Sequence, residues 1–286
     1  QLHQPGQPSK DLNKFDKDIF KKGSVDQRVE HIWKTQIFEG HFGRCWYFVV
    51  RKQFIRDNGI KFTNIPIYED QEYVCRLLCN VNNIAYFNYP YYRHMIRGSS
   101  LSMCHNLKMS IACVKASASL FRLSKEYLNS PLRQNFIESR ALVILSLLGH
   151  QILLLSDDEV KTIAETFESE GKPFEYVSLS DQGFPMITAM QAQGCVEGLV
   201  AYTKEMKEEI LDFISEVDSL YIFGVNTLTR GVVRLCQRQG IHIEAILDNN
   251  VKRIPTQGLG CKIAHPSILE KISSRELAKI KVFIAT

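Results

Sequence analysis

The C-terminal third of the sequence limits the fold more than any other stretch. SLYIFGVN (219–226) is a short apolar run closing on Gly224, and TRGVVRLCQRQG (229–240) keeps helical spacing up to Gly240. IHIEAILDNN (241–250) is a second apolar run, and KVFIAT (281–286) a third. Strand, helix and strand in so few residues call for parallel strands joined by a crossover helix. A parallel α/β unit is therefore expected from about residue 218.

A chain of 286 residues has room for a second unit with its own core. Hydrophobic residues at 45% and charged residues at 23% exclude a disordered or collagen-like chain. The formal charge of +4 does not call for nucleic acid, and no nucleic-acid partner is expected. The eight cysteines lie mostly in apolar runs without a CxxC pair or zinc-finger spacing. They read as buried small hydrophobes in a reducing compartment, so a cytoplasmic location is expected.

Residues 1–24 read as an irregular lead-in. Ser24 is expected to cap a helix running to about Glu39, and Asn58-Gly59 to end a short one. The segment 84–94 looks strand-like. Residues 106–155 read as helices broken at Pro131, and SDDEV (156–160) as a fresh helix start. The segment 171–200 reads as loop with short helices, and 204–216 as helix. The apolar run Ala141–Leu155 is too short to span a bilayer and reads as a buried helix.

Tyr68-Glu69-Asp70 follows a proline-bearing turn and precedes a helical run. Helix-start amides favour an ionised carboxylate there, and such a carboxylate can take a proton from a hydroxyl. An acidic pair is also an ordinary helix start, so the pair is informative only with its surroundings. Those comprise Trp46, Arg51-Lys52, Gly59-Ile60-Lys61-Phe62, Glu69-Asp70-Gln71-Glu72-Tyr73, and Tyr91-Tyr92-Arg93 followed by Ser99, Ser100 and Ser102.

In that order these elements resemble the C-terminal half of the catalytic domain of family 2 glycosyltransferases, over roughly residues 25–105. The resemblance implies a GT-A fold and inverting transfer from a nucleotide-sugar donor. The acceptor would be a hydroxyl of a surface glycan, carried on a lipid. Asp70 would be the base and Glu69 its support. Arg93 and Arg97 would neutralise the leaving diphosphate, and Trp46 and Tyr68 would floor the acceptor sugar. The family also uses Mn²⁺ or Mg²⁺ on an Asp-x-Asp pair ahead of these elements. Asp16-Lys17-Asp18 has those letters but lies in a polar stretch, too close to the acidic pair, so no metal ligand is assigned. The resemblance thus implies a piece of a longer enzyme lacking its donor-binding half.

The turn Gly224-Val225-Asn226 follows a strand and opens a helix, and Asp248 ends the next strand. This is the setting of a dinucleotide fingerprint, with Asn226 and Thr229 where the second and third glycines stand. The run with Asp248-Asn249-Asn250, Lys252, Gly260 and Pro266 resembles the Rossmann-like module found beside bacterial sugar transferases and in sugar acyltransferases. Gly224, Asn226 and Asp248 would then be its ligand contacts. The expected α/β architecture is a partial GT-A-type domain (1–105), a mainly helical connector (106–217) and a Rossmann-like parallel-sheet domain (218–286). The basic surplus and the apolar 141–155 helix fit peripheral contact with the inner face of the plasma membrane. The alternative is a nucleotide- or sugar-nucleotide-binding regulatory module without catalysis. An oxidoreductase or epimerase is disfavoured because no Tyr-x-x-x-Lys relay follows the fingerprint.

Overall fold

The computed structural model describes residues 16–35, 44–85, 106–172, 185–215, 219–225, 227–249, 260–273 and 279–284. They form a mixed α/β protein, mostly helical, with one small parallel sheet. The chain divides into two compact units. One is Gln1–Cys104 with Ala112–Leu145, and the other His105–Ile111 with Ser146–Thr286.

The first unit contains α1 (Lys17–Lys22), α2 (Val25–Thr35), α3 (Lys52–Asp57) and α4 (Glu69–Asn80). It also holds parts of α5 (Leu107–Ser124) and α6 (Pro131–Gln151), within which the division falls. Its helix starts are written in short side chains. Asp16 Oδ1 accepts from the amides of Asp18 and Ile19, so a helix begins where an irregular lead-in was expected. Ser24 and Gln27 bond each other's backbone reciprocally at the head of α2. Gly59, with φ +58°, follows α3 as expected.

Val29 and Ile32 of α2, Val74 and Leu78 of α4, and Leu120 and Phe136 farther on are all buried. Arg28 is buried too, and its guanidinium donates to the carbonyls of Gly23, Val81 and Asn82, tying α2 to the end of α4. Residues 84–85 carry no strand, and the rest of the strand-like run lies outside the described residues.

In the second unit, Ser156 and Glu159 form a reciprocal capping box at the start of α7 (Asp157–Ser169). The segment 171–200, expected as loop with short helices, contains α8 (Pro185–Gln193) and the first turns of α9 (Cys195–Ser215), separated by Gly194 with φ +92°. The sequence PMITAMQAQ lacks a single apolar stripe, so the periodicity of α8 is not visible in it.

Four strands then form a parallel sheet in the order β3-β2-β1-β4. They are β1 (Ser219–Phe223), β2 (Ile243–Leu247), β3 (Ile263–Ala264) and β4 (Ile280–Ile284). The helix α10 (Thr227–Gln239) links β1 to β2 and ends before Gly240 with φ +69°. Leu220, Ile222, Ile243 and Ile246 pack with Val232 and Cys236 of α10, Ile210 and Ile214 of α9, and Leu153. Ala245, Leu247 and Ala264 gather Tyr221, Phe223, Ile268 and Leu269 into a second cluster.

The helical span Pro131–Leu154 is long and apolar enough to cross a bilayer by length and composition. Even so, 59% of its most apolar window is buried within the protein, and Ala141, Ile144, Leu145, Leu148 and Ile152 are among the buried residues.

Candidate functional site

The helix α4 starts from Tyr68, whose φ of 68° and ψ of 14° put a bulky residue in the left-handed region. Such backbone costs on the order of 1–3 kcal/mol and persists where surrounding contacts fix it. One of those contacts is a hydrogen bond between the Tyr68 phenol and the Cys113 thiol of α5. Burial pushes both groups up, Cys113 to about 12, which keeps them protonated at neutral pH.

This turn delivers Glu69 and Asp70 into the first turn of α4, where both are half-buried. Burial first, and the neighbouring Glu69 second, raise the Asp70 carboxyl above its ordinary value. A hydrogen bond from Gln71, the backbone amide and Arg44 act in the opposite sense but are outweighed. The backbone amide favours the charged form, as expected, but desolvation and a like charge outweigh it. Gln71 Nε2 donates to Asp70 Oδ1 at 3.4 Å, and Arg140 Nη2 of α6 donates to Gln71 Oε1 at 3.4 Å. Gln71 and Arg140 thus form a positioning chain. Gln71 stood inside the quoted motif without a role, and nothing local in the sequence singles out Arg140.

The short 3₁₀ turn Cys45–Tyr47 packs against α4. Burial, then Asp70 and Glu69, raise the Cys45 thiol, so it is not primed as a nucleophile. The Arg44 guanidinium lies 5.5 Å from the centre of the Trp46 ring and also acts on Asp70. The turn that carries Trp46 thus packs against the helix that the consecutive residues Tyr68, Glu69 and Asp70 begin. Arg93 and Arg97 lie outside the described residues.

The other motif letters have structural work. Phe62 stacks on Tyr73 with ring centres 4.3 Å apart and planes 3° from parallel. Glu72 is buried, accepts from the Ser119 hydroxyl, and receives Arg76 Nε at 2.9 Å. Arg76 also grips Glu126 through both terminal nitrogens, at 2.7 and 2.8 Å. Replacing Arg76 by methionine strands a buried carboxylate and is expected to destabilise the protein by about 2 kcal/mol, checked by urea unfolding. The reference is the 24% exposure of Arg76, which holds the effect below that of a fully buried pair.

The divalent metal of the resembled family does not fit the donors at hand. Among the described residues, no three His, Cys, Asp or Glu side chains come together for an ion. Asp16 caps α1, and Asp18 lies 3.9 Å from Lys22 in an exposed pair.

In the second unit Gly224 has φ +95°, ends β1, and donates its amide to Leu247 at 2.8 Å. Asp248 follows Leu247, so Gly224 and Asp248 sit side by side beyond two parallel strands. Thr229 Oγ1 donates to the Gly224 carbonyl at 2.6 Å, turning this fingerprint position inward. Gly231 serves packing: a Cβ there would lie 2.8 Å from Cβ of Leu153. Asn226 lies outside the described residues.

No family model, no curated protein and no solved structure matches the chain.

Proposed function

We propose that the head of α4 is the acceptor side of an inverting glycosyltransferase with a partial GT-A-type domain, similar to family 2. One observation carries this reading. The carboxyl of Asp70 is raised above its ordinary value by burial and Glu69, yet the residue keeps some exposure to solvent. A carboxylate made more basic and kept accessible is what general-base work asks for. By the family resemblance Trp46 and Tyr68 would floor the acceptor sugar through C–H contacts with their rings.

In the proposed step Asp70 takes the proton of the acceptor hydroxyl as that oxygen attacks the anomeric carbon of the nucleotide-sugar. The anomeric C–O bond breaks, and its electron pair leaves on the nucleoside diphosphate. Arg93 and Arg97 take the charge of that leaving group by the family resemblance, and the acceptor is a surface glycan on a lipid carrier. No step is routed through a metal, because the donors described here do not assemble a site. The test is transfer, with Mn²⁺ or Mg²⁺, from a panel of nucleotide-sugars to lipid-linked glycan. Failure of every donor, with the protein folded, overturns the reading.

A second reading, nucleotide binding by a Rossmann-like module, is favoured by the strand order β3-β2-β1-β4. In open parallel sheets the ligand crevice lies outside the strand ends where the order reverses, here between β1 and β4. Gly224 stands at that end of β1. Nucleotides or nucleotide-sugars are expected to raise Tm, and Gly224→Val to remove the rise. No shift with any of them overturns this second reading.

A further inference from the structure

We infer that residues 44–62 form a docking surface for an anionic lipid bilayer. This stretch holds Arg44, Arg51, Lys52, Arg56 and Lys61 against the single carboxylate of Asp57. That surplus equals the formal charge of +4 of the whole chain, and all five cations are exposed. Lys52 and Arg56 stand four apart on α3, hence on one face.

Large apolar side chains are exposed among these cations. Tyr47 is 41%, Phe62 53% and Val49 86% exposed. Both ends of the stretch meet α4: Phe62 stacks on Tyr73, and the turn Cys45–Tyr47 packs against the same helix. Cations that meet lipid phosphates, with aromatic and aliphatic tips reaching the acyl boundary, make a surface suited to the membrane interface. Val49 has nothing to offer a base edge or a phosphate, which favours a bilayer over a nucleic acid. The apolar run 141–155 is not this surface, since much of it is buried. Such docking needs no sugar transfer.

The test is sedimentation of the full chain with vesicles of phosphatidylcholine alone, or with about a third phosphatidylglycerol. Binding is expected only to the anionic vesicles, and raising salt from about 0.05 to about 0.5 M should release it. The Arg51→Glu, Lys52→Glu, Arg56→Glu triple variant should lower the partition coefficient at least about a hundredfold. Val49→Asp should lower it about tenfold. These side chains are exposed, and thermal melts check that the folds are kept; Val49→Asp stands alone should the triple variant melt early. Equal binding to both vesicle types, or undiminished binding by Val49→Asp, would overturn the inference. So would preference for single-stranded DNA over vesicles at the same salt.

Discussion

Replacing Gly198 by valine is expected to destabilise the second unit by about 3 kcal/mol or more, at the upper end of overpacking costs. Gly198 lies in α9 where α8 crosses closely. A Cβ placed there would collide with the Ala189 carbonyl, 2.6 Å from its carbon, and lie 2.7 Å from Cα of Met190. These are backbone atoms, so relief requires the two helices to separate. The loss should appear as a fall in Tm of about 10 °C, with alanine at the same site giving a smaller fall. Gly149, inside α6, is the control: a Cβ there meets nothing within 4 Å. Gly149→Ala should therefore stabilise by about 0.5–1 kcal/mol through helix propensity. Equal effects at the two glycines would mean that the close crossing is absent.

Replacing Asp70 by asparagine is expected to cut transfer about a thousandfold, the range for loss of a general base, while the protein stays at least as stable. The stability half of this expectation follows from linkage. The Asp70 carboxyl is raised in the folded protein, so between the ordinary and folded values the native state holds more protons than the unfolded one. Stability contributed by this group falls as pH rises through that window, and above it the charged form is a burden. Asparagine removes the burden. Urea midpoints against pH should show a decline in the parent that is reduced in the variant, and kcat should fall at unchanged secondary structure. A variant that loses activity only because it unfolds would count against the assigned role. A variant that keeps full activity would remove Asp70 from the mechanism.

What the sequence discloses here is mostly local. The strand, helix and strand of 219–247 are visible because a parallel sheet makes its strands apolar on both faces. Ser24 with Gln27, Ser156 with Glu159, and Asn58-Gly59 mark helix ends through side-chain and backbone chemistry within a few residues. Pro131 marks the start of α6, where its missing amide is no loss.

The rest depends on groups far apart in the chain. Glu69, Asp70 and Glu72 are three similar carboxylates in four positions. Only Ser119 and Arg76 make Glu72 a buried structural group, and only burial together with Glu69 raises Asp70. Asp16 and Asp18 match the letters of a metal motif, yet one caps a helix and the other faces a lysine. The strand β3 escapes notice because two residues are too few to show a period.

That shortness has a bearing on colloidal behaviour. At the β3 edge of the described sheet, Ile263 and Ala264 offer a two-residue ladder, against five residues in each of the other strands. A stranger's strand finds little template there, and a β edge too brief to copy is a common safeguard against fibre growth. The β3 margin of the described sheet thus gives an incoming strand little to stack on.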